Sequence, residues 1–219
     1  MNTDYVRALT LESESFVSTL PSQPVLSKVI DGEASREDYV RYLIATYHYV
    51  RWSGFLLART AQGLRSSGRC PGLLPLLEEK AEEEGPHDTW LLRDLQHLGL
   101  NPHLVQGSAV PTAVRAYVEC STTLADAGSP AFLGAAYTLE FISMRRAKTA
   151  SDNLRARRTI PNIERALRFL DGHGAADHGH IAELEAALGQ VHDARAQADI
   201  AFSSELMRRL YPRFFTGES

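Results

Sequence analysis

Cysteine is nearly absent: the 219 residues include only Cys70 and Cys120, with no Cys-x-x-Cys or comparable spacing. So few thiols exclude a disulfide framework and a cysteine-ligated zinc site, and they suit a reducing compartment. Any metal here must use histidine and carboxylate. Long apolar runs are missing too, since no stretch of about 18 apolar residues is available to span a bilayer. The opening Met-Asn-Thr-Asp-Tyr-Val-Arg lacks the basic-then-apolar order of a signal peptide. These absences predict a cytoplasmic protein with no membrane partner. Nor is there an excess of charge of one sign. Against 27 Asp and Glu stand 23 Lys and Arg, giving a formal net charge of -4 with the signs interspersed, so no basic face for nucleic acid stands out.

What is present is helical periodicity, with proline and glycine falling between periodic segments rather than flanking short alternating strands. The chain reads as all-α, one domain over residues 1–219, long enough to bury a substantial core. Helices are expected over residues 4–20 and 24–30, and from a capping-box-like Ser35-Arg-Glu-Asp38 as one long helix to about residue 66. Others follow over 72–84 and, after a kink at Gly85-Pro86, 88–97; then 112–126 and a long one to about 157. Pro161 starts a shorter helix through Leu170, Asp171-Gly172 punctuates the entry to another ending near Gly189, and the last runs from Asp193 to Tyr211-Pro212. Seven or so helices with modest loops make a bundle, an architecture that places metal sites between facing helices. Long helices also offer surfaces for a homodimer, though no motif specifies one.

The most informative stretch is His173-Gly-Ala-Ala-Asp177-His178-Gly-His180. At about 100° per residue the offsets i, i+4 and i+7 return to nearly one azimuth, so His173, Asp177 and His180 share a helix face. Imidazole and carboxylate converging from one side suit a divalent transition metal. The alternative is a chance coincidence on an exposed face; against it, small residues surround the three side chains and let neighbours approach closely.

Two further segments offer partners. Glu84 and His87 lie three apart across Gly85-Pro86, although a solvated helix end also accounts for the run Glu82-Glu83-Glu84. Glu140 sits in the most apolar stretch of the chain, where a carboxylate is costly unless it is paired or bound to metal. A buried salt bridge to Arg145 or Arg146 is the other reading. Three histidines and three carboxylates from three segments make the equipment of a two-iron site.

The order Glu84-x-x-His87, an isolated Glu140, then His173-x-x-x-Asp177-x-x-His180 resembles the heme-oxygenase-like diiron oxidases and oxygenases. The likeness extends to Asp38-Tyr-Val-Arg-Tyr-Leu-Ile-Ala-Thr-Tyr-His-Tyr-Val50, to the segment His87–Gly99 and to Phe169-Leu-Asp-Gly-His173. It implies a seven-helix heme-oxygenase-like bundle and Glu84, His87, Glu140, His173, Asp177 and His180 as ligands. These would hold two Fe(II) per chain, with O2 as co-substrate. Some members place the first carboxylate seven residues before the histidine, where this chain has Lys80, so Glu83 is a second candidate.

Glu140, His173 and Asp177 are expected at the reacting centre, with Glu140 bridging the irons or lying between them. The implied substrate is a small amino-acid-like or fatty molecule, oxidised by N-oxygenation, desaturation or carbon–carbon cleavage. The same scaffold carries heme enzymes, thiaminases and cofactor-free oxidases. Yet the first histidine is His48, far from where a heme ligand belongs, and neither cysteine sits in a nucleophile's setting. A non-enzymatic helical binder of metal or partner is the remaining alternative. Arg145 is a candidate clamp for a substrate carboxylate, or else a surface ion pair. Tyr47, Trp52, Phe132, Tyr137 and Phe141 are candidates for pocket or core.

Overall fold

Capping and close backbone approach decide where the helices begin, end and cross. A computed structural model describes residues 3–216, with the backbone alone for residues 3 and 175–178. Helix α1 (Thr3–Thr19) leads through a 3-10 turn at Leu20–Ser22 into α2 (Pro24–Ile30). Proline at the first position of α2 forfeits an N–H that would be unpaired there anyway. Helix α3 (Arg36–Val50) opens on the expected capping box: the Asp38 N–H donates to Ser35 Oγ at 3.1 Å and the Ser35 N–H to Asp38 Oδ2 at 3.3 Å.

The single helix expected from Ser35 to about residue 66 is instead two, because α4 (Ser53–Ser67) starts afresh after Arg51-Trp52. The halves have different partners. Helix α3 lies against α2 and α6 (His87–His97), whereas α4 lies against α5 (Leu74–Glu84) and α8 (Thr112–Asp126). No proline marks the bend; the Arg51 guanidinium covers it, 5.6 Å from the Tyr47 ring centre and 5.4 Å from that of Trp52. Gly68, at φ 69°, ends α4 in the left-handed conformation that glycine adopts freely.

A short α7 (Pro102–Gln106) occupies the connection expected before Pro111, and α9 (Phe132–Arg157) is the spine of the bundle, touching α1, α2, α4, α8, α10 (Arg168–Leu188) and α11 (Ala194–Leu210). Where α9 crosses α11, a Cβ on Gly134 would lie 1.9 Å from the Ile200 carbonyl oxygen, so only glycine permits the crossing. All the described secondary structure is helical; the break at 51–52 and the short α7 add segments beyond those expected, whereas α2 falls where it was expected. No helix among the described residues is long and apolar enough to cross a membrane.

The other correction concerns the helix expected over 161–170. Only a 3-10 turn forms at Ile163–Arg165, and α10 begins at Arg168 and runs straight through Asp171-Gly172. The cause is a cap from another helix. Asp94 of α6, fully buried, accepts the Arg168 N–H at 3.1 Å and the Phe169 N–H at 2.9 Å. Gly172 marks a contact rather than a turn: a Cβ there would sit 2.6 Å from the Trp90 ring.

Burial pushes the Asp94 carboxyl up from 3.8 to about 6, although the two amides it accepts pull it down. A raised folded-state value stabilises at pH below the unfolded one and ceases to as pH climbs through about 6. Asp94→Ala should cost about 1–2 kcal/mol in denaturant unfolding, for want of two acceptors. The stability of Asp94→Asn relative to the parent should improve as pH rises from 4 to about 6, read from paired melts across that range.

Candidate metal centre

Glu84 ends α5 and His87 begins α6. Gly85 between them keeps helical dihedrals (φ -51°, ψ -43°), so the turn holds its pitch and the Glu84 and His87 side chains stay on one side. His87 Nδ1–H donates to Glu84 Oε2 at 3.0 Å, and both side chains are only 10% exposed. The solvated-end reading of Glu84 therefore fails, although Glu82 and Glu83 are exposed. Helix α9 brings Glu140, and α10 brings His173 and His180. Asp177 lies outside the residues whose side chains are described.

Two groups of three result. One oxygen or nitrogen each from Glu84, His87 and His173 lie within 4.8 Å of one another, and the same holds for Glu84, Glu140 and His180. Glu140, expected to bridge the irons or lie between them, falls in the second group among the described residues and also acts electrostatically on His173. Glu84 is common to both groups, because its position at the α5–α6 junction faces α9 and α10 together.

The ring geometry aims the imidazoles. His173 Nδ1–H donates to the Phe169 carbonyl oxygen at 3.1 Å, leaving the Nε2 lone pair free for a metal. The rings of His87 and His173 meet edge to face at 4.8 Å between centres, walled by Trp90 at 4.2 Å from His87 and Phe169 at 4.3 Å from His173. Burial lowers the His173 pKa, against the raising effect of Glu84 and Glu140. The Glu140 carboxylate beside it raises that of His180. Burial pushes Glu84 up, but the imidazoles of His87, His173 and His180 outweigh this and hold it below the ordinary carboxylate range.

The chain by itself does not satisfy these atoms. Glu84 Oε1, Glu140 Oε2 and His180 Nδ1 are buried with no hydrogen-bond partner, and the closest pairing of the last two is 3.6 Å. Buried acceptors left unpaired cost free energy, and they cluster where a cation would satisfy all of them. The donor set is nitrogen and carboxylate oxygen, which suits ferrous iron. The structure shows no Glu140–arginine bridge: Arg145 turns to the surface and pairs with Glu14 at 2.8 Å, and Arg146 donates to the Val17 carbonyl oxygen at 3.3 Å.

Lys80, at the position where a carboxylate was the alternative, is buried and holds Glu83 and Glu183 at 2.7 Å each. Glu83 comes no closer than 3.8 Å to His180 Nε2. Sequence spacing contained some of what was missed: Trp90 is three residues after His87 and Phe169 four before His173, hence on the same faces. Nothing local announced Glu183 as a partner of Lys80.

A sequence profile described as iron-containing redox enzyme matches residues 40–211. The chain belongs to that family. Curated proteins give no match. Solved structures do: a domain of unknown function with a heme oxygenase-like fold from Shewanella denitrificans is 19% identical, covering 95% of this chain and 89% of that one at a TM-score of 0.82. A TenA homolog from Pseudomonas syringae pv. tomato is 15% identical over 96% and 90% of the two chains, with a TM-score of 0.75. A TenA homologue from P. horikoshii is 17% identical over 99% of each at 0.73. These neighbours establish a heme-oxygenase-like fold for this iron-containing redox enzyme family member.

Because a Cβ on Gly172 would meet the Trp90 ring at 2.6 Å, Gly172→Ala should shift Trp90 off His87. We expect a loss of about 1–3 kcal/mol from overpacking, with a changed near-ultraviolet circular dichroism spectrum. An unchanged spectrum at full stability would contradict the packing described.

Proposed function

We propose that the chain is a non-heme diiron enzyme that uses O2 to oxidise a small organic substrate, by N-oxygenation, desaturation or oxidative carbon–carbon cleavage. The observation that carries this reading is the pair of three-residue groups sharing Glu84, whose unpaired buried atoms call for cations. Glu84, His87 and His173 would hold one ion; Glu84, Glu140 and His180 the second, with Asp177 as an added ligand on the same face of α10. Two ferrous ions so held would supply the binding and reduction of O2.

The protein's own contributions are positional. Phe169 fixes the His173 tautomer, Trp90 and Phe169 wall the imidazoles from water, and the Glu83–Lys80–Glu183 network props the α5 and α10 helices beside the centre. The side chains of Glu84 and Glu140 line an apolar cavity in which substrate would be oriented and solvent excluded. Tyr137 is remote from such a role, since its hydroxyl donates to Glu185 at 2.9 Å and meets Thr10 at 3.0 Å, tying α9 to α10 and α1.

Anaerobic ferrous loading followed by metal analysis tests the assignment. The parent should take up about two irons, Glu84→Gln should lose both positions, and Glu140→Gln or His180→Ala should retain the one at His87 and His173. Alanine at His173, Asp177 or His180 should abolish iron-dependent oxygen consumption. Normal uptake in Glu84→Gln, or unchanged turnover in all three alanine variants, would remove the proposal and leave a helical binding protein.

A further inference from the structure

Trp90 belongs to two places at once. Its ring packs on His87 at 4.2 Å between centres and meets His173 at 6.1 Å, and it also lines an open cleft of about 370 Å³ with Glu164, Arg165, Arg168, Asp171 and Gly172. The half-buried indole is therefore the wall between that cleft and two imidazoles of the metal centre. The close fit has a local cause. The Asp94 cap starts α10 at Arg168, so Arg168 and Gly172, four apart on one helix face, both border the ring, and Gly172 lacks the Cβ that would collide with it.

The cations of the cleft are uncommitted. Among the described residues no carboxylate pairs with Arg165 or Arg168, both exposed; the Arg168 guanidinium lies 4.9 Å from the Trp90 ring centre. Of the two acids, Asp171 is held by Arg155 and accepts from Ser151 Oγ at 2.5 Å. Glu164 alone remains against two guanidinia, a local excess of positive charge in a chain of net charge -4. Guanidinium forks match phosphate oxygens, and an indole offers an edge or face to another ring. The volume stands at the low end of ligand pockets, roughly 300–1,000 Å³, which suits one ring system with one phosphate and not a dinucleotide.

We propose that this cleft is where the electron donor docks, a reduced flavin mononucleotide with its phosphate on Arg165 and Arg168 and its ring against Trp90, through which electrons pass to His87 and His173. The delivery of electrons rests on the reading of those histidines as iron ligands; the binding of flavin does not. One reduced flavin loses two electrons and two protons to become the oxidised ring, each of two ferric ions gains one electron to become ferrous, and the protons leave to solvent through the open cleft. Ferric iron takes electrons singly and a flavin releases its pair singly. A nicotinamide instead moves a hydride, for which the indole is no acceptor.

Trp52 and Trp90 are the two tryptophans of the chain, so Trp52→Phe leaves Trp90 as the sole indole reporter. The test is equilibrium dialysis of the metal-free full-length Trp52→Phe protein against oxidised flavin mononucleotide, with riboflavin as the control lacking phosphate, followed in parallel by Trp90 fluorescence. Flavin mononucleotide should bind saturably and quench Trp90. Riboflavin should bind about ten- to hundredfold more weakly, and Arg165→Gln with Arg168→Gln should abolish that difference. In iron-loaded protein oxidised to the ferric state, saturating reduced flavin mononucleotide should yield Fe(II), measured in anaerobic rapid-quench samples with a ferrous chelator. Trp90→Ala should slow that step severalfold, with partial recovery in Trp90→Phe. No binding, or binding indifferent to the phosphate and to both arginines, overturns the docking site and leaves the metal centre standing. Reduction that ignores Trp90→Ala overturns the path through the indole. Arginine-dependent flavin binding in a protein that takes up no iron keeps the site and overturns the delivery of electrons together with the diiron reading.

Discussion

A carboxylate removed from water must be compensated, and that constraint at Glu84 organises the rest of the molecule. Its side chain is 10% exposed and surrounded by His87, His173 and His180, with Glu140 completing the second group. The His87 imidazole satisfies one of its oxygens; the other has no partner. Bound cations would offset the burial of such a cluster, and the frame must be stiff enough to keep four helices, α5, α6, α9 and α10, in register. The frame is visible in the Asp94 cap that fixes the start of α10, the glycine that lets α10 press on Trp90, and the near-helical Gly85 that keeps Glu84 beside His87.

Much of this was legible in the sequence. Period, proline and glycine placement gave the helices; the capping box at Ser35 marks the start of α3 as expected; and Glu84, His87, Glu140, His173 and His180, singled out by their spacing, are brought together, while the side chain of Asp177 lies outside the described residues. What was not legible depends on partners distant in the chain. The break at Arg51-Trp52 follows from a change of neighbouring helices, and no local breaker signals it. The start of α10 at Arg168 is set by Asp94, 74 residues earlier. Whether Glu84 or Glu140 is shared depends on how α5, α9 and α10 converge, which periodicity does not encode. The same limit separates Arg145, paired with Glu14 at the surface, from its neighbour Arg146 in the cavity wall. Of the aromatics weighed for the pocket, Phe132 lines the cavity, whereas Tyr47, Tyr137 and Phe141 are buried in the core.

The solved neighbours share the scaffold at 15–19% identity, including TenA homologues, so the helical frame alone does not select a chemistry. The chemistry has to be read from the content of the frame: nitrogen and oxygen donors gathered beside an apolar cavity, and further along α9 an arginine whose Nε is buried without an acceptor. Sequence profile and geometry point the same way, since the family is one of iron-containing redox enzymes and the donors suit iron.

The claim that Glu84 is shared is tested most directly by anomalous diffraction at the iron edge, from crystals grown anaerobically with excess Fe(II). The account predicts two peaks flanking the Glu84 carboxylate, about 3.5–4 Å apart as in other two-metal sites, one beside His87 and His173 and the other beside Glu140 and His180. A single peak, or peaks that leave Glu84 uncoordinated, would contradict it.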